Sequence, residues 1–246
     1  MDSGFYAAVT ALASKTQALD SVANNLANVN TSGFRAEHTQ FKSVLAKATA
    51  TGSSPLNLAV NSYGVMGGTR LDLRAGTLQK TGNDMDLAIN GSGFFAVKTA
   101  AGEMYTRSGN FRVSSTGLMV TQDGDPVVGA NGGTINVAGG KVYVGPDGTV
   151  SVNGAMVDRL KLVDFTDSSQ LSSAGKTLYS AQAGAATQPS TATVEQGVLE
   201  DSNVNPVDSA VELINVQRQA EMMQRAMSFF SNDLNKTATE DLPRVS

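Results

Sequence analysis

The chain has 246 residues, with 18 basic and 22 acidic side chains, so its net charge is −4. That balance argues against a nucleic-acid partner, whose phosphates demand clustered Lys and Arg. Cysteine is absent and His38 is the single histidine, which excludes disulfides, thiolate catalysis and multi-histidine metal sites. No apolar run reaches the roughly 18 residues that a membrane span needs. The opening Met1-Asp2-Ser3-Gly4 has no basic residue before Lys15, which does not suit a cleavable secretory leader. On composition alone these features suggest a cytoplasmic protein.

Glycine and charge divide the chain into three. Only Gly4 and Gly33 precede residue 50 and none follows Gly197, so both ends lack the strongest helix breakers while the middle is full of them. The net charge sits in residues 200–246, which hold four basic and eight acidic side chains; the rest of the chain is balanced.

In the first segment Phe5, Leu12, Leu19 and Leu26 recur every seven residues, with Val9, Val22 and Ala23 at the half-steps. This predicts a helix from about Ser3 to Val29. It ends in Asn28–Gly33, where Asn and Gly accept left-handed backbone. Phe34–Leu45 reads as extended. Residues 47–64 and 180–193, rich in Ala, Thr, Ser, Gly and Gln, read as linkers or loops.

The middle reads as antiparallel β-structure. Lys141–Val152 alternates around Asp147-Gly148, which predicts a hairpin. Leu118–Gln122 and Pro126–Val128 repeat the pattern around Gly124. Turn signals recur near 92, 102, 109, 117, 124, 132, 139, 148 and 154. Gly91-Ser92-Gly93 ahead of Phe94-Phe95 predicts a tight turn into a buried strand.

The last segment opens on Asn205-Pro206-Val207-Asp208, a capping residue followed by a proline suited to the first turn. Leu213, Val216, Ala220, Met223, Met227, Phe230 and Leu234 then follow in strict alternating three- and four-residue steps, an a/d seam. Glu221 and Arg225 stand one turn apart and can pair. A helix with one apolar seam is marginal in water alone and needs a partner. Either the two helices pack within one chain or they pack against other copies.

Candidate chemistry is thin. Gly175-Lys176-Thr177 lacks the first glycine of a phosphate loop, whose place is taken by Gln170, and no strand-to-helix context surrounds it. Asp84 with Asp86, and Asp123 with Asp125, lack calcium-loop spacing and suit turn chemistry. His38 reads as a solvated surface residue. Met222, Met223 and Met227 read as adaptable packing groups. No catalytic set, cofactor site or metal site is expected.

Three stretches are more specific. Ala23-Asn24-Asn25-Leu26-Ala27-Asn28-Val29-Asn30-Thr31-Ser32-Gly33-Phe34-Arg35 closely resembles the N-terminal signature of flagellar rod and hook proteins. Asp86–Phe95 and Tyr105-Thr106-Arg107-Ser108-Gly109-Asn110-Phe111, followed by Gly117-Leu118 and Thr121–Gly124, are similar to the central part of that family. Gln196–Asn205 and Val216–Glu221 resemble its C-terminal signature. Ala220 departs from it, since relatives often carry an aromatic residue there. The opening and the short length look most like the proximal-rod branch, with the distal-rod branch as the alternative. A secreted β-rich adhesin fits the core but not both helical arms.

The resemblance implies an α+β, multi-part fold. An antiparallel all-β core would be flanked by long terminal helices that form a coiled coil in the assembly. The expected divisions are a coiled-coil helix at 1–32, an extended or hairpin segment with linker at 33–64, a β-rich core at 65–203 and a coiled-coil helix at 204–246. It implies leaderless export through the flagellar type III apparatus and assembly into the periplasmic rod that carries torque to the hook. Its partners would be other rod proteins and copies of itself, with no nucleic acid and no membrane span. The expected assembly interface comprises Phe5, Leu12, Leu19, Asn24, Asn25, Leu26, Asn28, Gly33 and Phe34. From the C-terminal seam it takes Leu213, Val216, Ala220, Met223, Met227, Phe230 and Leu234.

Overall fold

The computed structural model describes residues 2–42, 65–165, 168–182, 184–185 and 187–240. The side chains of Phe5, Phe230 and Leu234, and the extended reading at 43–45 with the linker at 47–64, lie outside the described set.

Helix α1 spans Asp2–Ala27. It stops two residues short of the expected Val29, because Asn28, Val29 and Thr31 turn back onto the carbonyls of Asn25, Leu26 and Asn28. Helix α2 spans Pro206–Glu240 and begins at the proline that the sequence marks. Between them run strands β1 (Glu37–Lys42), β2 (Val65–Leu71), β3 (Leu78–Lys80), β4 (Leu87–Asn90), β5 (Phe94–Thr99) and β6 (Gly102–Thr106). They continue as β7 (Arg112–Val113), β8 (Met119–Val120), β9 (Val142–Val144), β10 (Thr149–Val152), β11 (Ala155–Arg159) and β12 (Leu162–Phe165). The last five are β13 (Leu171–Ser173), β14 (Leu178–Ala181), β15 (Thr187–Pro189), β16 (Thr193–Gln196) and β17 (Val198–Glu200).

The chain divides into two compact units. One comprises residues 1–24, 38–69 and 206–246; the other comprises 25–37 and 70–205. In the first unit, α1 buries a stripe of small residues, Ala11, Ser14, Ala18 and Val22. Leu12 and Leu19, on the seam read from the heptad, are only half-buried. The heptad marks the larger side chains. The chain itself covers the adjacent small ones, which permit close approach.

The second unit is built on a six-stranded sheet in the order β13-β14-β6-β5-β12-β15, with antiparallel pairing throughout. Strand β5 lies inside it and is covered on both faces, so its apolar run does not alternate with polar residues. Phe95 and Val97 enter a core with Leu87, Ile89, Phe111, Met119 and Ile135. Phe94 and Ala96 enter a second core with Tyr105, Phe165, Leu171 and Tyr179. The expected turn at Gly91-Ser92-Gly93 delivers this strand. Gly93 sits at φ 136°, and a Cβ there would meet the Ser190 side chain at 2.6 Å.

The expected hairpin forms as β9 and β10, with Val144 opposite Val150 and Gly148 at φ 83°. The second one narrows to a Val120–Pro126 bridge closed by Thr121 N–H on Asp125 O. Gly175-Lys176-Thr177 lies in the turn between β13 and β14 rather than before a helix. The loop reading of 180–193 needs correction. Strand β15 lies within it and pairs with β12, Val163 facing Pro189. Its Thr-Gln-Pro sequence carries no apolar alternation, and a proline is tolerated because β15 is an edge strand. Glu221 accepts from Gln217 Nε2 at 3.4 Å, and among the described residues the expected pair with Arg225 is not formed.

Candidate functional site

The three signature stretches converge in one buried place in the second unit. Residues 33–36, coming from α1, run beside residues 200–203, going to α2. Gly33 N–H donates to Glu200 O at 2.7 Å and Asn203 N–H to Phe34 O at 3.4 Å. Ala36 N–H donates to Asn203 Oδ1 at 2.7 Å, while Asn203 Nδ2 donates to Asp72 O and Arg74 O, each at 2.9 Å. Phe34, Ala36 and Val204 pack together beneath these bonds.

At the centre sits an ionic triad. Arg35 Nη2 donates to Glu200 Oε1 at 2.6 Å, and Arg107 Nη1 donates to Glu200 Oε2 at 3.1 Å. The side chains of Arg35 and Glu200 are 0% exposed and that of Arg107 is 3% exposed. Gly76 N–H also donates to Glu200 Oε1, at 2.8 Å. Arg107 is held further by the carbonyls of Ile89 (3.1 Å) and Gly91 (2.6 Å) and lies over the Phe94 ring at 5.5 Å. Tyr179 Oη accepts the Arg35 backbone N–H at 3.0 Å.

Burial lowers the Arg107 pKa to about 10, against the opposing pull of Glu200, so the guanidinium stays charged at neutral pH. Burial likewise pushes the Tyr179 phenol up to about 12. Two guanidiniums share the one carboxylate that touches them, and Asp164 is a further acid acting on Arg107. Arg35 Nε and Nη1 and Arg107 Nε have no hydrogen-bond partner among the described residues. With no nucleophile in it, the cluster is a tie between chain segments.

Gly33 makes the approach possible. Its φ is +73°, and a Cβ there would lie 2.2 Å from Ser108 N. Phe34 is 3% exposed and Asn25 4%. Asn25 closes a two-way bond with Glu37, Oδ1 accepting the backbone N–H at 2.9 Å and Nδ2 donating to the carbonyl at 2.8 Å. Asn28 Oδ1 accepts from Thr31 Oγ1 at 3.2 Å. Asn25 and Asn28 are thus engaged within the chain, and Asn24, although exposed, also has a partner. Leu26 is half-buried. On α2, Leu213, Val216, Ala220, Met223 and Met227 are each half-buried, and Val207, Val211, Ile214 and Met222 are exposed.

Sequence reasoning assigned no role to Arg35, Arg107, Tyr179, Glu200 or Asn203. The available signal was a charged residue set inside each signature: Arg35 after Gly-Phe, Arg107 after Tyr-Thr, Glu200 after Val-Leu.

Asp86, one of the aspartates weighed for calcium, is buried and accepts from Thr81 Oγ1 (2.6 Å) and Asn83 Nδ2 (3.0 Å), which is turn chemistry. His38 is exposed. Among the described residues no group of three acidic or histidine side chains is placed to hold a metal, and no helix is long and apolar enough to cross a membrane.

Three family models match the chain. "Flagella basal body rod protein" covers residues 5–35. "Flagellar hook protein FlgE/F/G D1 domain" covers 88–152, and "Flagellar basal body rod FlgEFG protein C-terminal" covers 195–239. The chain is similar to the flagellar basal-body rod protein FlgF of Caulobacter vibrioides, at 39% identity over the full length of both chains. It is 35% identical to FlgG of Bacillus subtilis, over 87% of this chain and 89% of the relative. It is 33% identical to FlgF of Mesorhizobium japonicum, over 90% of each. A shared N-terminal signature, central domain and C-terminal helix, matched in order and at full length, make this chain a member of the flagellar basal-body rod and hook protein family.

Proposed function

We propose that the chain is a proximal-rod subunit of the FlgF type, polymerising through α1 and α2 into the periplasmic shaft that carries torque to the hook. Membership of the family makes it a structural component of the flagellar basal body. The finer assignment is supported by 39% identity to a FlgF over the whole of both chains. The polymerising role is supported by one observation above others. Helix α2 carries a regular apolar seam that the chain itself leaves half-buried, and on the opposite face a second apolar set, with Val207 68%, Val211 54%, Ile214 51% and Met222 60% exposed. An apolar stripe of that length is a docking surface for other helices, and a helical polymer requires such heterologous, non-closing contacts.

In this reading the seam residues Leu12, Leu19, Leu213, Val216, Ala220, Met223 and Met227, with Phe5, Phe230 and Leu234, meet neighbouring subunits in a coiled coil. The working divisions are 1–32, 33–64, 65–203 and 204–246. The partners are other rod proteins and copies of this chain, and the subunit leaves the cytoplasm through the type III apparatus. It has no enzymatic role. The alternative, a distal-rod subunit, draws on the 35% identity to the Bacillus FlgG.

Electron microscopy of purified basal bodies carrying a tagged subunit separates the two. A short segment of a few copies between other rod proteins supports the proximal reading. A long segment of dozens of copies reaching the hook establishes the distal one.

A further inference from the structure

We propose that the Arg35–Glu200–Arg107 triad, with Asn203, is a register pin: it fixes how residues 33–36 align with 198–203. It serves that specificity rather than stability.

The triad is a poor stabiliser. It sets two guanidiniums on one carboxylate, with Asp164 acting on Arg107 only at longer range, and leaves three guanidinium nitrogens unpartnered. Buried ionic clusters of this kind are often no more stabilising than apolar side chains of similar volume, whereas their bonds are directional.

Beyond the β16–β4 ladder and the backbone bonds of Gly197 and Asp201, the side chains of this segment specify its register little. Strand β17 has only three residues, Val198, Leu199 and Glu200, opposite Lys80, Gln79 and Leu78. Two are apolar, so without Glu200 a one-residue slip would exchange one aliphatic side chain for another. Glu200 prevents this by gathering donors from three other segments: Arg35 and Gly33, Gly76, and Arg107. Three residues on, Asn203 repeats the device with Ala36, Asp72 and Arg74. Pro206 opens α2 directly afterwards. A slip at 198–203 alters the segment that leads into α2, so a subunit carrying it should assemble poorly.

The consequence for assembly rests on the rod-subunit reading; the register itself does not. The chain contains no cysteine, so introduced pairs report cleanly. In full-length protein, Gln79→Cys with Leu199→Cys traps the observed register, and Gln79→Cys with Val198→Cys traps the slipped one. These pairs are placed in the parent, in Arg35→Met/Glu200→Met, and in that variant with Asn203→Ala. Folding is followed by thermal melting, and swimming by complementation of a strain lacking the gene.

Removing Arg35 and Glu200 together should melt at a higher temperature than Glu200→Met alone, because one buried guanidinium, that of Arg107, is then left without its carboxylate instead of two. It should nevertheless shift cross-linking several-fold toward the slipped pair. Adding Asn203→Ala should complete the shift and reduce swimming to that of the deletion strain. A double variant no more stable than the single would overturn the proposal, as would native cross-linking or parental swimming after all three changes. A deletion strain that still builds hooks and swims would refute the rod reading instead and leave the cross-linking result standing.

Discussion

Glu200→Gln is the sharpest test of the ionic junction, because it removes a charge and almost no volume. Glu200 Oε1 accepts from Arg35 Nη2 and Gly76 N–H, and Oε2 accepts from Arg107 Nη1. A carboxamide supplies one acceptor where two are used. In either orientation it sets an NH2 group against a donor, and two buried guanidiniums are left facing no anion. Breaking a buried ion pair from one side costs about 3–5 kcal/mol. That is a large share of the roughly 5–15 kcal/mol by which domains are stable. With a urea m-value of about 2–3 kcal/mol/M, the midpoint should fall by about 1–2 M with unchanged slope. Urea titration of the full-length monomer, followed by far-UV circular dichroism, measures it. A midpoint within about 0.3 M of the parent would mean that water already reaches the triad, and the reasoning from burial would fail.

Gly33→Ala should destabilise by several kcal/mol, since it combines a positive φ with a Cβ 2.2 Å from Ser108 N, and backbone must move to admit it; a melting temperature near the parent's would contradict this. Tyr179 has a folded-state pKa raised to about 12 by burial, against about 10 in unfolded chain, so its contribution is intact below pH 10 and lost as pH rises toward 12. Two units correspond to about 2–3 kcal/mol, and Tyr179→Phe should flatten the alkaline fall in stability, read by urea titration between pH 9 and pH 12. Met223→Asp on α2 should leave the β-unit folded, judged by protease resistance of residues 70–205, while abolishing motility, because a charge buried in a packed helical seam costs several kcal/mol.

How much was legible depended on the range of the interaction that decides each feature. The α2 start needed only Asn205-Pro206 and the spacing that follows. The β9–β10 hairpin needed only alternation around Asp147-Gly148. Strand β5 was recognisable as buried from Gly91-Ser92-Gly93 ahead of Phe94-Phe95. Strand β15 was not, because Thr187-Gln188-Pro189 becomes a strand only through β12, which lies 22 residues or more before it. The triad was still less accessible. Arg35 and Glu200 stand 165 residues apart, and no periodicity links them. Nothing beside either residue in the sequence marks it for burial, and only the fold removes them from water.

Helix α1 carries this argument to a last prediction. Its heptad points to Leu12, Leu19 and Leu26, yet Ala11 at 6% and Ala18 at 7% exposure are the covered positions, with the leucines at the margin. In the assembly proposed above, two different demands would account for the offset: the chain itself covers the small residues, and the half-buried leucines would meet neighbouring subunits. The two roles separate by mutation. Ala18→Leu adds three carbon atoms where close packing leaves no room, so the free monomer should lose about 1–3 kcal/mol. Leu19→Ala removes side chain at a half-exposed site, so the monomer should lose less than about 1 kcal/mol, while assembly, which buries that face, suffers more. Urea titration of the monomer and swimming in soft agar read the two effects independently. If Leu19→Ala destabilises the monomer as much as Ala18→Leu and leaves swimming intact, the heptad seam is internal packing, and α1 presents no seam to its neighbours.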